Sequence, residues 1–234
     1  MHHTQRYCRA RRYRALQAST ADARSGQVVF VSHCLLNQNT RYLGGAGCRG
    51  AVNAAIAPYL QDGTGIVQMP CPEQRMWGGV LKTRMLWLMQ HPRTARAASV
   101  LLPVVLRYVR RRYAHHARAI ARDIEDYLAS GLTVRGIVGV AGSPSCGVYP
   151  TLDLKHAAAA LARRPHRDSA TTEWMNDAVV EPALRPGRGL FVTELTHALA
   201  PRGVHVPILQ HTLPTRTQPG HPDPSREVRL GRPT

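Results

Sequence analysis

Three short apolar runs punctuate the chain. They are Val28-Val29-Phe30-Val31, Gly65-Ile66-Val67-Gln68-Met69 and Gly136-Ile137-Val138-Gly139-Val140-Ala141. Short runs rich in Val and Ile and bounded by turn residues predict buried strands, over 28–32, 65–69 and about 134–141. Between them the period changes. Residues 49–60 are Ala-rich, with Val52, Ala55 and Ile56 on one face, and predict a helix. A second helical pattern runs from Ser99 to Ala129. Pro103 marks a start or a kink, and Gly131 is a natural C-cap.

The later chain continues the alternation. A short Ala-rich helix falls within 152–172, followed by a basic loop at Arg163-Arg164-Pro165-His166-Arg167. Residues Thr172–Leu184 read as a helix, with Thr172 as cap and Glu173 in its first turn. Gly187-Arg188-Gly189 leads through Leu190-Phe191-Val192 into a helix over Glu194–Leu199. Val204–Leu209 is a fourth strand, and Pro207 suits it to a sheet edge. The expected fold is therefore α/β: a Rossmann-like sandwich with a mostly parallel sheet of about four or more strands and helices on both faces. One domain spans 27–211. The basic segment 1–26 and the Pro-, Gly- and Arg-rich segment 212–234 are expected to be disordered tails.

Each of the three runs leads into a cysteine. The first enters Ser32-His33-Cys34, the second Pro70-Cys71-Pro72-Glu73, and the third Gly142-Ser143-Pro144-Ser145-Cys146-Gly147. Parallel sheets bind ligands outside the carboxyl ends of their strands. Neighbouring strands lie about 4.8 Å apart, so three nearby strand ends can converge within roughly 10 Å. Cys34, Cys71 and Cys146 thus become candidate ligands of one metal centre. Three thiolates suit zinc with one open position. They equally suit an iron–sulfur cluster with one iron left free. No Cys-x-x-Cys pair is present to separate the two.

Neighbouring residues supply candidate chemistry. Glu73, fixed by Pro72, is a candidate general acid or base. Ser143 and Ser145 bracket Pro144 and either shape the turn or bond substrate. His33 is either a strand-end residue satisfied by backbone or a proton carrier. Asn37, Gln38 and Asn39 offer amides suited to a nucleobase edge, and Arg41 and Arg84 suit a phosphate. Cys8 is a bystander in the N-terminal tail, and Cys48 is a small apolar helix-start residue.

Charge and cysteine count narrow the setting. Five cysteines, an odd number, with no secretory apolar region argue against a disulfide framework. No apolar run approaches the roughly 20 residues of a membrane span, so a cytoplasmic protein without membrane attachment is expected. The formal net charge is +17, and Lys82 and Lys155 are the only lysines beside many arginines. Such an excess favours anionic partners. A small thiolated molecule is the favoured partner and RNA the less favoured one. The arginines of the 99–129 helix read as a solvated face. Three functions follow: a cluster-dependent enzyme, a zinc-dependent hydrolase, or a basic RNA- or nucleotide-binding or redox-sensing module.

The motifs Ser32-x-Cys34-Leu35-Leu36, Arg41-Tyr42, Cys71-Pro72-Glu73 and Ser143-Pro144-Ser145-Cys146-Gly147 together resemble the thiouracil desulfurase (desulfidase) family, TudS, over about residues 27–210. The resemblance implies a [4Fe-4S] cluster held by Cys34, Cys71 and Cys146. It implies removal of sulfur as sulfide from a thiolated nucleobase, nucleotide or related thioamide, by hydrolysis without net redox change. It maps the catalytic acid to Glu73 and the catalytic serine to Ser143. His33, Asn37 and Gln68-Met69-Pro70 depart from the common family pattern. They point to a related branch, with a substrate pocket of its own.

Overall fold

A computed structural model describes residues 16, 19–20, 22–42, 44–84, 92–163 and 172–213, with the backbone alone at 92–96, 98–99 and 172. The expectations for Cys8, most of the basic segment 1–26, the basic loop from Arg164 onward and the C-terminal segment from 214 lie outside these residues.

The central sheet has four parallel strands: β1 (Gln27–Ser32), β2 (Gly65–Met69), β3 (Thr133–Val140) and β6 (Ile208–His211), in the order β2-β1-β3-β6. β1 pairs with both β2 and β3, setting Ser32 beside Met69 and Val31 beside Val138. The expected α/β class and parallel sheet are found. β6 sits at the edge, with Pro207 just outside it as its single partner strand allows.

Both faces of the sheet are covered. Val29, Val31, Val138 and Val140 point to one side, where they pack with Leu35 of the short α1 (His33–Leu36) and with Val52 and Ala55 at α2 (Asn53–Gln61). Val28, Phe30, Val134 and Ile137 point to the other. There they meet Tyr113, Ile120 and Ile124 of α4 (Pro92–Ala129) and Phe191 and Leu195 of α7 (Leu190–Leu199). Strands buried on both sides read as continuous apolar runs for this reason. Between α4 and α7 lie a two-stranded antiparallel ribbon, β4 (Thr151–Leu152) with β5 (Leu184–Arg185), and α5 (Leu154–Ala162). α6 (Thr172–Trp174) runs directly into a π-helical stretch, Met175–Val180. Among the described residues no helix is long and apolar enough to cross a membrane.

Several boundaries differ from expectation. α4 begins at Pro92, and Pro103 lies inside it. The hydrogen bond that proline removes costs about 3 kcal/mol, and the core contacts of Val109, Tyr113 and Ala117 offset it. Gly131 does end the helix, with φ of 80° and Leu132 N–H bonded back to Tyr127. α2 starts only at Asn53, because Val52 N–H is taken by the carbonyl of Leu35 at 2.8 Å. The 172–184 segment is not a plain α-helix but passes from α to π to 3-10 geometry.

α7 begins at Leu190, earlier than its pattern suggests, and the reason positions the site. Helix starts leave N–H groups without partners, and Gly189 at the N-cap has no side chain to help. The turn after β3 supplies the acceptors. Gly189 N–H donates to Gly147 O at 2.9 Å, Leu190 to Pro144 O at 2.9 Å, and Phe191 and Val192 to Ser145 O at 3.0 and 3.2 Å. A Cβ on Gly189 would lie 2.4 Å from Ser145 O and 2.8 Å from Gly147 N, both backbone atoms. Gly189→Ala should therefore destabilise the fold by about 1–3 kcal/mol as overpacking does, seen as a lower urea midpoint with an unchanged slope.

Candidate active site

The three strands are parallel, so their carboxyl ends lie together. β1 and β3 are also where the chain reverses its order across the sheet, the position at which such sheets form a crevice. Cys34 stands in the first turn of α1 and Cys71 is the N-cap of α3 (Pro72–Met76), its sulfur accepting from Gln74 N–H at 3.4 Å. Cys146 arrives differently. The 142–147 turn folds back so that Val140 N–H donates to Cys146 O at 3.0 Å. Gly139 permits this, since a Cβ there would lie 2.4 Å from that carbonyl.

All three cysteines are free thiols and line one cavity of about 570 Å³. That is within the usual size range for small-molecule sites. Burial pushes all three thiol pKa values up. For Cys71 the value rises to about 11, with the Glu73 carboxylate as second cause. For Cys146 the second cause is the other two sulfurs, Cys34 and Cys71. Cys34 rises through burial despite the opposing Arg41 guanidinium. The thiols are close enough to oppose one another's ionisation.

Glu73 reaches into the same space. Ser145 Oγ donates to Glu73 Oε1 at 2.6 Å, and Ser143 Oγ lies 3.2 Å from Ser145 Oγ. Ser143 Oγ also accepts the backbone N–H of Cys146 at 3.1 Å and of Ser145 at 3.3 Å. Because the Ser145 hydroxyl proton is directed at Glu73, Ser143 is the donor to Ser145. A directed chain Ser143 to Ser145 to Glu73 results. Ser145 is thus the serine in contact with the carboxylate, and Ser143 both shapes the turn and stands behind it.

The remaining expected residues divide. His33 and Arg41 line the cavity. His33 Nδ1 is partnered by Gln68 Nε2 at 2.5 Å, a side chain of the neighbouring strand rather than backbone, and burial lowers its pKa, with Lys82 adding to the effect. The Arg41 guanidinium acts on the Cys34 thiol, opposing the rise in its pKa, and Arg41 Nε is buried with no hydrogen-bond partner. Asn37, Gln38 and Asn39 lie off the lining. Asn37 Oδ1 takes both the N–H and the side-chain amide of Asn39, at 3.1 and 3.0 Å. Gln38 is buried, bonding Cys34 O at 2.5 Å and Gly47 N–H at 2.9 Å, and so pins the Gly-rich loop to the strand end. Arg84 also lies off the lining. Cys48 donates to Ala51 O at 3.4 Å and packs against the core beside α2.

Two polar lining residues, Lys82 and Tyr113, are not among those expected from the sequence. Lys82 is 2 % exposed, donates to Thr40 O at 2.5 Å and stands 3.9 Å from Glu73 Oε2. It takes a left-handed φ of 54°, unusual outside glycine. One of only two lysines in an Arg-rich chain, it carried a signal. Tyr113, from the middle of α4, is 2 % exposed and brings its hydroxyl beside Glu73, Cys146 and Cys71. Burial strongly raises its pKa, with the Glu73 carboxylate adding to the effect. Apolar side chains of α4, α5 and the π-helical stretch complete the walls, among them Val105, Val109, Leu161, Met175 and Val179.

A cluster fits this donor set on two observations. Three thiols from three segments face one cavity, and Arg41 presents an unpartnered buried N–H beside Cys34. Among the described residues no group of three or more Cys, His, Asp or Glu that could hold a metal ion is found.

No family model matches the chain, and no solved structure matches it. An uncharacterized protein of Methanocaldococcus jannaschii is 40 % identical over 47 residues, which is 20 % of this chain and 30 % of that protein.

The raised thiols make stability depend on pH. Folded Cys71 holds its proton more tightly than the unfolded chain, so this contribution is complete below pH 9 and is lost as pH rises toward about 11. The urea midpoint of metal-free protein should fall across that window, and Cys71→Ala should flatten the fall.

Proposed function

We propose that the protein is a desulfidase that replaces the sulfur of a thiolated nucleobase, nucleotide or related thioamide with oxygen from water, releasing sulfide. The observation that carries this reading is the meeting of three strand-end thiols with a Ser143–Ser145–Glu73 hydrogen-bond chain in one cavity. Cys34, Cys71 and Cys146 would hold the cluster. When bound, a [4Fe-4S] cluster with three cysteine ligands supplies a Lewis-acidic iron with a vacant position for a soft sulfur atom.

The chain's own groups do the rest. The reaction consumes one water for each C=S converted to C=O and needs no electrons. It does need a proton taken from water and protons delivered to the departing sulfur. Glu73 Oε1 already accepts a hydrogen bond from Ser145 and is the group placed to take the water proton. Ser145 holds that carboxylate in direction, and Ser143 completes the relay. The Lys82 ammonium balances the carboxylate charge from the far side. Arg41 Nε offers its unused N–H to the electron-rich end of substrate or cluster. The apolar walls limit access of bulk water to the one molecule that reacts. Free thiols fit a reducing, cytoplasmic setting.

Anaerobic reconstitution followed by iron, sulfide and zinc analysis tests the centre. Cys34→Ala, Cys71→Ala and Cys146→Ala should each lose iron. Stoichiometric zinc with no iron uptake would sink the proposal. Glu73→Gln and Ser145→Ala should keep their iron and lose about 10²–10⁴ in sulfide-release rate, the usual contribution of a general base. Ser143→Ala should lose less rate and show a lower unfolding midpoint.

A further inference from the structure

The geometry of α4 points to a second function, separate from the cavity: we infer that its solvent face binds single-stranded nucleic acid. The face is formed by Arg107, Arg111, His115, Arg118 and Arg122, all exposed. At 100° per residue these positions fall within an arc of about 80°, and at 1.5 Å rise they form a row about 22 Å long. Successive side chains are about 4.5–6 Å apart along the axis, a step close to that between phosphates of an extended strand.

Among the described residues no ion pair engages the row. From Pro92 to Arg122 the helix contains no acidic residue. Acids follow at Asp123, Glu125 and Asp126: Glu125, which continues the line, is paired with Arg202 at 3.3 Å, and Asp126 stands one turn beyond Arg122 at the end of the row. Arg110, on the flank facing α7, is paired with Glu194 at 2.5 Å and takes no part. The buried side of the helix, Val109, Tyr113 and Ala117, fixes the row's direction away from the core. At the head of the row stands Tyr108, 56 % exposed. A basic track with an exposed aromatic is the combination that binds single strands, charge holding the backbone and the ring stacking a base. Upstream on the same face Val100, Leu101 and Val104 are also exposed, so an anionic membrane surface is the competing occupant.

The test uses the full chain and a fluorescent oligouridylate of about 12 nucleotides, a length within the site sizes of such surfaces. Four arginine contacts predict a plot of log affinity against log salt with a slope of about −3. The combined variant Arg111→Ala, Arg118→Ala, Arg122→Ala should reduce that slope by about 2. Its side chains are exposed, so its melting curve should match the parent's. Tyr108→Ala should weaken binding about tenfold or more with the slope unchanged. Absence of binding would overturn the inference. So would binding lost with Arg9→Ala, Arg11→Ala, Arg12→Ala but kept in the helix variant, or binding to phosphatidylserine vesicles in preference to the oligonucleotide. Sulfide release by reconstituted protein plays no part in these outcomes.

Discussion

The hydrogen bonds between the first turn of α7 and the carbonyls of the 144–147 turn are the constraint on which the site depends. They satisfy helix N–H groups that would otherwise be buried without partners, and they hold a glycine- and proline-rich turn in one shape. Cys146 sits where it does because that turn is clamped from two sides, by α7 and by Val140 N–H. Gly189 and Gly139 are glycines because backbone from the turn occupies the space a Cβ would need. The same clamp aims Ser145 at Glu73, which arrives from another strand end.

Three buried thiols beside a carboxylate form an arrangement that resists negative charge. Burial pushes all three thiol pKa values up, and neighbouring sulfurs add to the effect at Cys71 and Cys146. Lys82 and Arg41 provide the only cations of Lys or Arg type on the described lining. A cationic centre would reverse that balance, because metal ligation and loss of the thiol proton are one event. Lys82, in a left-handed conformation with a backbone carbonyl partner, is built into the site as permanent charge rather than as a mobile surface group.

α4 borders both the cavity and the basic face. One side contributes Val105, Val109 and Tyr113 to the cavity wall and core. The opposite side carries the arginine row. A helix that long and that well buried at its centre presents both surfaces on one rigid rod.

The amino-acid sequence by itself determined the class of fold and the three cysteines. Strands buried on both faces announce themselves as apolar runs, and a cysteine at each run's end is visible without knowing how the strands pair. Glu73 was legible for the same local reason, being fixed beside Cys71. The partners of these groups were decided only by tertiary structure. Asn37 Oδ1 accepts both the backbone and the side-chain N–H of Asn39, because short amides compete for local backbone and side-chain partners. Tyr113 and Lys82 join the site from a distant helix position and a loop, and no spacing rule links either to a strand end. The division of labour between Ser143 and Ser145 was equally closed to sequence, since the two residues are of one type and only the direction of the clamped turn separates them.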